Sequence, residues 1–403
     1  MATATRVALT LHLLRLGDSV PAPPVTSPWL YFGANGTGAV DSPDYLALAS
    51  RGALAGYGWQ NNAAPASYQH GEMNLLDAAR ALAAYNATLP VFVYRHFQMC
   101  WRLFDVQRAA DDDNSSRAFF LHDEDNANGA VECRQSVPGG GTSPLLVFLN
   151  STAGTWWVDH VVRELAAEPV TQAVFFDETD WSACGYNFAK DGCSHISDAF
   201  RAADLAAKLP ALRATADALS AVGKWPIFSS KNLLTAAWAG LPASQPRPCV
   251  VPHDAYAAAL AGADYARFYE FFMGQGAVLD AATIANVMLE GATGVGFVAR
   301  AGADAAAQCA TTCPEGSVGK VSLSYALAAF LIARTSPKSF FGVSAGWYSQ
   351  CWCWHAEFDA VAACGAPTVH ATRTSPYTWT REYEHCHVAV NTSAAEGSFS
   401  LND

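Results

Sequence analysis

Basic residues are scarce in this chain: 24 lysines and arginines stand against 36 aspartates and glutamates, for a formal net charge of −12. A surface that grips nucleic acid must present Lys and Arg to displace phosphate counterions, so a nucleic-acid partner is not expected. Long apolar runs are missing too. The longest, residues 325–333, is about half the ~18–20 residues of a bilayer-crossing helix and reads as a core helix, so no transmembrane segment is expected. A phosphate-cradling loop is also absent. The Gly-rich stretch 291–296 precedes an expected strand where a dinucleotide site needs a strand-to-helix turn, so no cofactor is expected. Ser229-Ser230-Lys231 has no local base that would make a serine nucleophilic.

What is present points to a large, oxidised, covered fold. With 51% hydrophobic residues over 403 positions, the chain can bury one large core or two medium ones. Its 11 cysteines lie mostly in polar, loop-like segments, whereas buried thiols sit in apolar runs. Cys184 with Cys193, and Cys309 with Cys313, are spaced to close short surface loops. A further bridge is expected within residues 351–386, and the odd count leaves one thiol over. N-x-S/T sequons occur at Asn35, Asn86, Asn114, Asn150 and Asn391, against about two expected by chance. Both features fit a secreted glycoprotein. Arg6 and the apolar run 7–14 resemble the start of a signal peptide, although His12 and Arg15 interrupt it; residues 1–27 are read as a leader.

Beyond the leader one pattern recurs: a short, continuous apolar run, then polar residues, then a helix-like segment. Continuous apolarity is the mark of parallel strands covered on both faces. Eight such runs occur, at 29–32, 53–57, 91–94, 173–176, 226–228, 265–269, 294–298 and 340–343. Helix punctuation falls between them, including a long helix from about Asp198 that Pro210 should kink or divide. The fold class expected is therefore α/β, a (β/α)8 TIM barrel spanning residues 28–348. Residues 98–144 form a long insertion after the third strand, placed over the carboxyl face. Residues 349–403 supply the last helix and a small C-terminal β appendage, with strands at 377–383 and 387–390 joined by a tight turn.

In a barrel of this kind the site collects where strands end. The residues just past each run are Asn35, Trp59 with Gln60, Arg95 with His96, Asp177 with Glu178, Lys231 with Asn232, Glu270 and Arg300. Carboxylates among them can do acid–base work, while Trp59, Trp181 and Tyr269 can stack on sugar rings, which makes carbohydrate the expected partner. The sharpest signal is Phe176-Asp177-Glu178-Thr179-Asp180-Trp181, three carboxylates in four residues directly after a buried strand. Like charges so close are costly without a use. The simpler alternative is that Glu178 or Asp180 caps a helix or pairs with Lys190. Glu270 is the second candidate, with a salt bridge to Arg267 as its simpler alternative. Cys351, Cys353 and His355 with His385, Cys386 and His387 could be written as zinc ligands, but their spacing suits disulfides better and no metal is expected.

Two stretches carry a resemblance. Phe148-Leu149-Asn150 to Trp156-Trp157-Val158, followed by Ala173-Val174-Phe175-Phe176-Asp177-Glu178, resembles the glycoside-hydrolase-like TIM-barrel families. Those carry an "Asp-x-x-Asn-Pro … Trp" element and then a "Gly-Val-Phe-x-Asp" strand. The tail from Thr380 to Asn391 resembles their closing hairpin. Leu149-Asn150 stands where an Asp is common, and His385-Cys386 replaces the usual Asn-Gly turn. The resemblance implies a glycosidase-like barrel and, because an Asp after the fourth strand often serves there as nucleophile, retention of configuration. The expectation is an O-glycoside hydrolase with Asp177 as nucleophile or base, Glu270 as general acid and Glu178 as substitute for either. Two alternatives stay open: a non-catalytic carbohydrate-binding glycoprotein, and a metal-assisted lyase or epimerase using His96. The sugar, the linkage and the oligomeric state are not written in the sequence.

Overall fold

The computed structural model describes residues 46–47, 50–58, 71–122, 132–136, 142–149, 151–179, 196–230, 253–273, 284, 288, 295–302, 317–318, 321–344 and 354–401. The expected leader, the strand at 29–32 and the cysteine pairs 184/193 and 309/313 lie outside the described residues.

Seven of the apolar runs are strands of one parallel sheet. They are β1 (Ala55–Tyr57), β2 (Val91–His96), β5 (Ala173–Asp177), β6 (Trp225–Ser230), β7 (Ala266–Met273), β8 (Gly296–Gly302) and β11 (Phe340–Ser344), each hydrogen-bonded to the next in chain order. An open doubly wound sheet reverses its strand order at a switch point; this one never does. Right-handed crossovers in an unreversed order put every connecting helix on the same face. The other face must then be covered by the sheet itself, so the sheet curls. Phe92 and Tyr94 of β2 meet Phe175 of β5 at ring-centroid distances of 6.4 and 5.7 Å, and Phe175 reaches over to Phe268 of β7 at 4.9 Å. On the opposite face, Phe176 packs under Trp157 and Phe97 from the covering segments.

The strands run further than the apolar runs that signal them. Pairing continues through Arg95↔Phe176 and His96↔Asp177, because ladder hydrogen bonds ignore side-chain polarity. The polar ends therefore obey the two-residue alternation of a strand. Among the helices, α1 (Gly71–Tyr85) precedes β2. Between β2 and β5 come α3 (Ser151–Trp156), a π-helical turn (Trp157–Val162) and α4 (Arg163–Ala167), in direct succession. The wide turn seats the fully buried Trp157, which touches Phe97 at 5.0 Å. The long helix α5 (Asp198–Ser220) is not divided at Pro210; the proline costs one amide donor, and buried residues on both sides, Leu205, Lys208, Leu212 and Ala216, hold the helix together. Helix α6 (His253–Ala259) precedes β7.

Between β2 and α3 the chain folds into α2 (Asp105–Asp112), a 3-10 turn (Asn114–Phe119) and a hairpin of β3 (Arg134–Ser136) with β4 (Thr142–Pro144). Its ends are laced by charge. Arg134 grips Asp111 with two nitrogens at 2.8 and 2.7 Å, Arg102 adds a third bond at 2.7 Å, and Glu132 pairs with Arg134 and Arg117. Burial alone would raise the Asp111 pKa, but the bonds from Arg134 and Arg102 outweigh it and hold the carboxyl below its ordinary range.

The expected C-terminal hairpin is β13 (Thr378–Glu382) with β14 (Cys386–Asn391). The sequence reading missed its flanking strands, β12 (Thr372–Arg373) and β15 (Glu396–Leu401), which complete a four-stranded antiparallel sheet. This sheet packs on α7 (Leu323–Ala333), which follows a short antiparallel pair, β9 (Ser317–Val318) and β10 (Val321–Ser322), and whose residues 325–333 are all buried, as their unbroken apolarity requires. Gly397 permits the approach, since a Cβ there would lie 2.7 Å from Tyr325 Cα. Arg381 donates to the carbonyls of Leu331, Ile332 and Arg334, closing the helix end, and Tyr383 Oη donates to Leu331 O at 2.8 Å. A disulfide, Cys364–Cys386, ties β14 to the residue just beyond α8 (Ala356–Ala362). It removes Cys386 from the conceivable zinc set, and His387 is engaged by Glu382 at 2.6 Å. Cys133 is also disulfide-bonded, while Cys100 is a buried free thiol.

A group whose folded pKa is depressed contributes stability that is present above its unfolded value and lost as pH falls through the folded one. Asp111→Asn is therefore expected to lower the urea midpoint at pH 7, with the deficit shrinking as pH falls below the ordinary aspartate value of 3.8. A deficit independent of pH would show that the arginine bonds to the carboxylate are not its source.

Candidate active site

The carboxyl ends of β2 and β5 meet at Asp177. This residue ends β5 partly exposed, while the four before it are buried. Each of its oxygens receives one hydrogen bond: Tyr94 Oη donates to Oδ2 at 3.0 Å, and the Glu178 amide donates to Oδ1 at 2.9 Å. A carboxylate so held keeps lone pairs on both oxygens for a further partner. Tyr94 was not among the residues singled out from sequence. Strand alternation was the available signal, because Tyr94 and His96 share a face of β2 and His96 is the register partner of Asp177.

Glu178 takes a left-handed backbone, φ 55°. For a residue with a Cβ this costs about 1–3 kcal/mol and persists only where the surroundings over-determine it. Several contacts do so here. Lys208 of α5 donates to the Glu178 carbonyl at 3.4 Å and to Gln98 Oε1 at 2.5 Å. Thr179 is fastened next in line: its hydroxyl donates to Ser229 O at 2.7 Å and lies 3.1 Å from the Tyr256 hydroxyl, whose ring carries the Arg267 guanidinium at 3.9 Å. The bend turns the Glu178 carboxylate toward His96, with Oε2 3.6 Å from Nε2. Neither helix capping nor a contact to Lys190 is needed to account for Glu178; Lys190 itself lies outside the described residues.

Beneath the bend lies a buried polar cluster that sequence reasoning did not find. Asp204, one turn before Lys208, accepts from the amides of Phe148 and Leu149 at 2.7 and 3.2 Å. Burial raises its pKa, against the opposing pull of Lys208 and the two amides. The aromatic faces of Phe97 and Phe148 lie 5.9 and 5.7 Å from the Lys208 ammonium. A lysine in mid-helix carries no sequence mark of such a role.

The remaining expected residues divide. Arg95 is not at the rim. It alternates to the helix-covered face, pairs with Glu72 of α1 and stacks on Phe104 at 4.0 Å; burial lowers its pKa to about 9. Tyr269 and Glu270 sit on β7 where its ladder with β8 shifts register between Tyr269 and Met273, and Arg300 sits on β8. The placement of their side chains lies outside what is described. Asn35, Trp59, Gln60, Asp180, Trp181, Lys231 and Asn232 lie outside the described residues. Among the described residues no three His, Cys, Asp or Glu side chains are grouped to hold a metal.

No family model matches the chain, and neither does any curated protein. Solved structures similar to it include glycoside hydrolases. An α-galactosidase from Thermus thermophilus, in complex with p-nitrophenyl α-D-galactopyranoside, is 10% identical over 93% of this chain and 67% of its own, with a TM-score of 0.46. An α-amylase from Malbranchea cinnamomea is 11% identical over 91% and 85%, at 0.45. An exo-β-N-acetylglucosaminidase from Vibrio harveyi is 9% identical over 70% and 41%, at 0.37. The chain thus spans less than half the length of the Vibrio enzyme.

The strain at Glu178 is separable from its carboxylate. Glu178→Gly and Glu178→Ala both remove the acid, but only glycine relaxes at positive φ. The glycine variant is expected to be more stable than the alanine variant by about 1 kcal/mol in denaturant titration. Equal stabilities would mean that residue 178 is not held left-handed in solution.

Proposed function

We propose that this protein is a secreted glycoside hydrolase acting on O-glycosyl bonds of a carbohydrate, built on a (β/α)8 barrel. Residues 29–32 would complete the barrel between β11 and β1. The reading is carried by Asp177: a partly exposed carboxylate at the carboxyl end of a central parallel strand, with one donor on each oxygen, beside a strained neighbour. Buried donors fix the orientation of such a carboxylate, and the solvent-facing lone pairs are then aimed at whatever enters the mouth. Asp177 acts as nucleophile, or as base if the enzyme inverts. Glu270, two strands along in the sheet order, is the general acid, and Glu178 is the substitute for either role. Asn35, Trp59, Gln60, Asp180, Trp181, Lys231, Asn232, Tyr269 and Arg300 are the proposed sugar contacts. The buried, ion-paired Arg95 supports the sheet from behind.

Export rests on two supports. The Cys364–Cys386 bridge and the bonded Cys133 suit an oxidising compartment. Of the described sequons, Asn114 is exposed, while Asn86 and Asn391 are half-buried and accept from the Thr88 and Ser393 hydroxyls at 2.8 Å, with Asn86 Nδ2 donating to Ser50 O at 3.4 Å. Protein made in a eukaryotic secretory host is expected to lose mass on treatment with a peptide-N-glycosidase, with at least one of these three asparagines converted to aspartate as its glycosylamide bond is hydrolysed. An unmodified chain would remove the glycoprotein reading.

The enzymatic reading is tested on a panel of aryl glycosides. Asp177→Asn and Glu270→Gln should each lower turnover by several orders of magnitude with the unfolding midpoint nearly unchanged, and Glu178→Gln should lower it less. The first-formed sugar should retain the anomeric configuration by NMR; inversion would make Asp177 the base. Sugar binding without turnover by the unaltered protein would replace the hydrolase reading with a carbohydrate-binding one.

A further inference from the structure

We infer that His96 is a positioning residue, locked as the neutral tautomer with its proton on Nε2, which aims the Glu178 carboxylate beside Asp177 and does not itself contact substrate. The residue types after β2 suggest a sugar ligand at this position; the hydrogen bonds assign something else.

The Met99 amide donates to His96 Nδ1 at 2.8 Å. A ring nitrogen that accepts a hydrogen bond carries no proton, so the single proton of a neutral imidazole is on Nε2. An imidazolium would put two hydrogens between Nδ1 and the Met99 nitrogen. That amide cannot easily turn away, because the residues around it are pinned on both sides. Phe97 N donates to Asp177 O at 3.0 Å, Cys100 N to Pro144 O at 2.9 Å, and the Gln98 carbonyl accepts from Leu146 N at 2.8 Å. The ring is only 4% exposed and lies edge-on to Trp101, with centroids 6.1 Å apart.

The protonated Nε2 faces Glu178 Oε2 at 3.6 Å, a few tenths of an ångström beyond a hydrogen bond. Contacts of this kind tighten when a site fills. From there a short path leads to the proposed nucleophile, since the Glu178 amide donates to Asp177 Oδ1. The left-handed backbone of Glu178 brings its carboxylate to the imidazole and its amide to Asp177. With Nδ1 accepting and Nε2 holding a proton toward a carboxylate, the ring offers no lone pair to a metal and no basic nitrogen to a substrate proton. This argues against the lyase alternative that would use His96.

The kinetic arm of the test rests on the hydrolase reading; the spectroscopic arm does not. In the full chain labelled with 15N-histidine, long-range 1H–15N correlation at neutral pH should show the His96 ring with Nε2 protonated and Nδ1 bare. An Nδ1–H tautomer or an imidazolium pattern overturns the inference whatever the activity. On the best aryl glycoside, His96→Gln, whose amide N–H reaches the Nε2 position, should keep kcat within several-fold. His96→Asn, whose amide reaches only the Nδ1 position, should lower kcat roughly tenfold to a hundredfold with KM little changed. A loss mainly in KM, or equal losses in both variants, would make His96 a substrate contact or a merely structural residue and overturn the proposal. If the unaltered protein turns over no glycoside, the hydrolase reading alone fails, and the ring spectrum still decides the tautomer.

Discussion

One buried ammonium group, Lys208 Nζ, holds the mouth of this sheet together. Its residue has no solvent exposure, and desolvating such a charge costs several kcal/mol unless its protons are used. They are used on parts of the chain far apart in sequence. Gln98 opens the segment after β2, Glu178 O follows β5, and Lys208 and Asp204 belong to α5. Asp204 in turn holds the amides of Phe148 and Leu149 just ahead of α3. The bend at Glu178 is therefore held by helix, strand end and loop together. That dependence explains how an unfavourable backbone can persist at a single fixed place.

The bend is what converts a strand end into a site. In an unbroken strand, residues 177 and 178 would point to opposite faces. The left-handed turn lets both contribute on one side: Asp177 through its oxygens, Glu178 through its amide and its carboxylate. Tyr94 and His96, two residues apart on β2, reach the same place because the β2–β5 register aligns His96 with Asp177. Arg95, between them, is turned away by the same alternation and becomes part of the wall.

Two structures brace this arrangement from outside. The Asp111 cluster closes the segment between β2 and α3 with charge, concentrating three arginines around one buried carboxylate. The C-terminal sheet closes the far side of α7 with backbone acceptors: Arg381 and Tyr383 occupy carbonyls at the helix end that would otherwise be buried without donors. The Cys364–Cys386 bridge keeps the sheet's central strand tied to the chain that enters it.

Continuous apolar runs of three to five residues, separated by helix punctuation, are a local property, and they located seven parallel strands. Asp177 and Glu178 were also legible, because three carboxylates crowded after a buried run are costly wherever the chain goes. Residues whose roles depend on contacts distant in sequence were not legible. Lys208 lies 110 positions from Gln98, Tyr94 lies 83 from Asp177, and Arg381 lies 50 from Leu331; the neighbours of Lys208 and Arg381 do not mark them, and the alternation that sets Tyr94 on the face of His96 does not name its partner. Arg95 and His96 looked equivalent as adjacent polar residues, and only the alternation imposed by pairing with β5 set them on opposite faces. The sequence by itself determined where the strands of the parallel sheet form and where negative charge gathers, since both follow from residues within one turn or one strand. Which side chains face that charge was decided by the tertiary structure alone, because register, burial and hydrogen-bond partners exist only once separate segments pack.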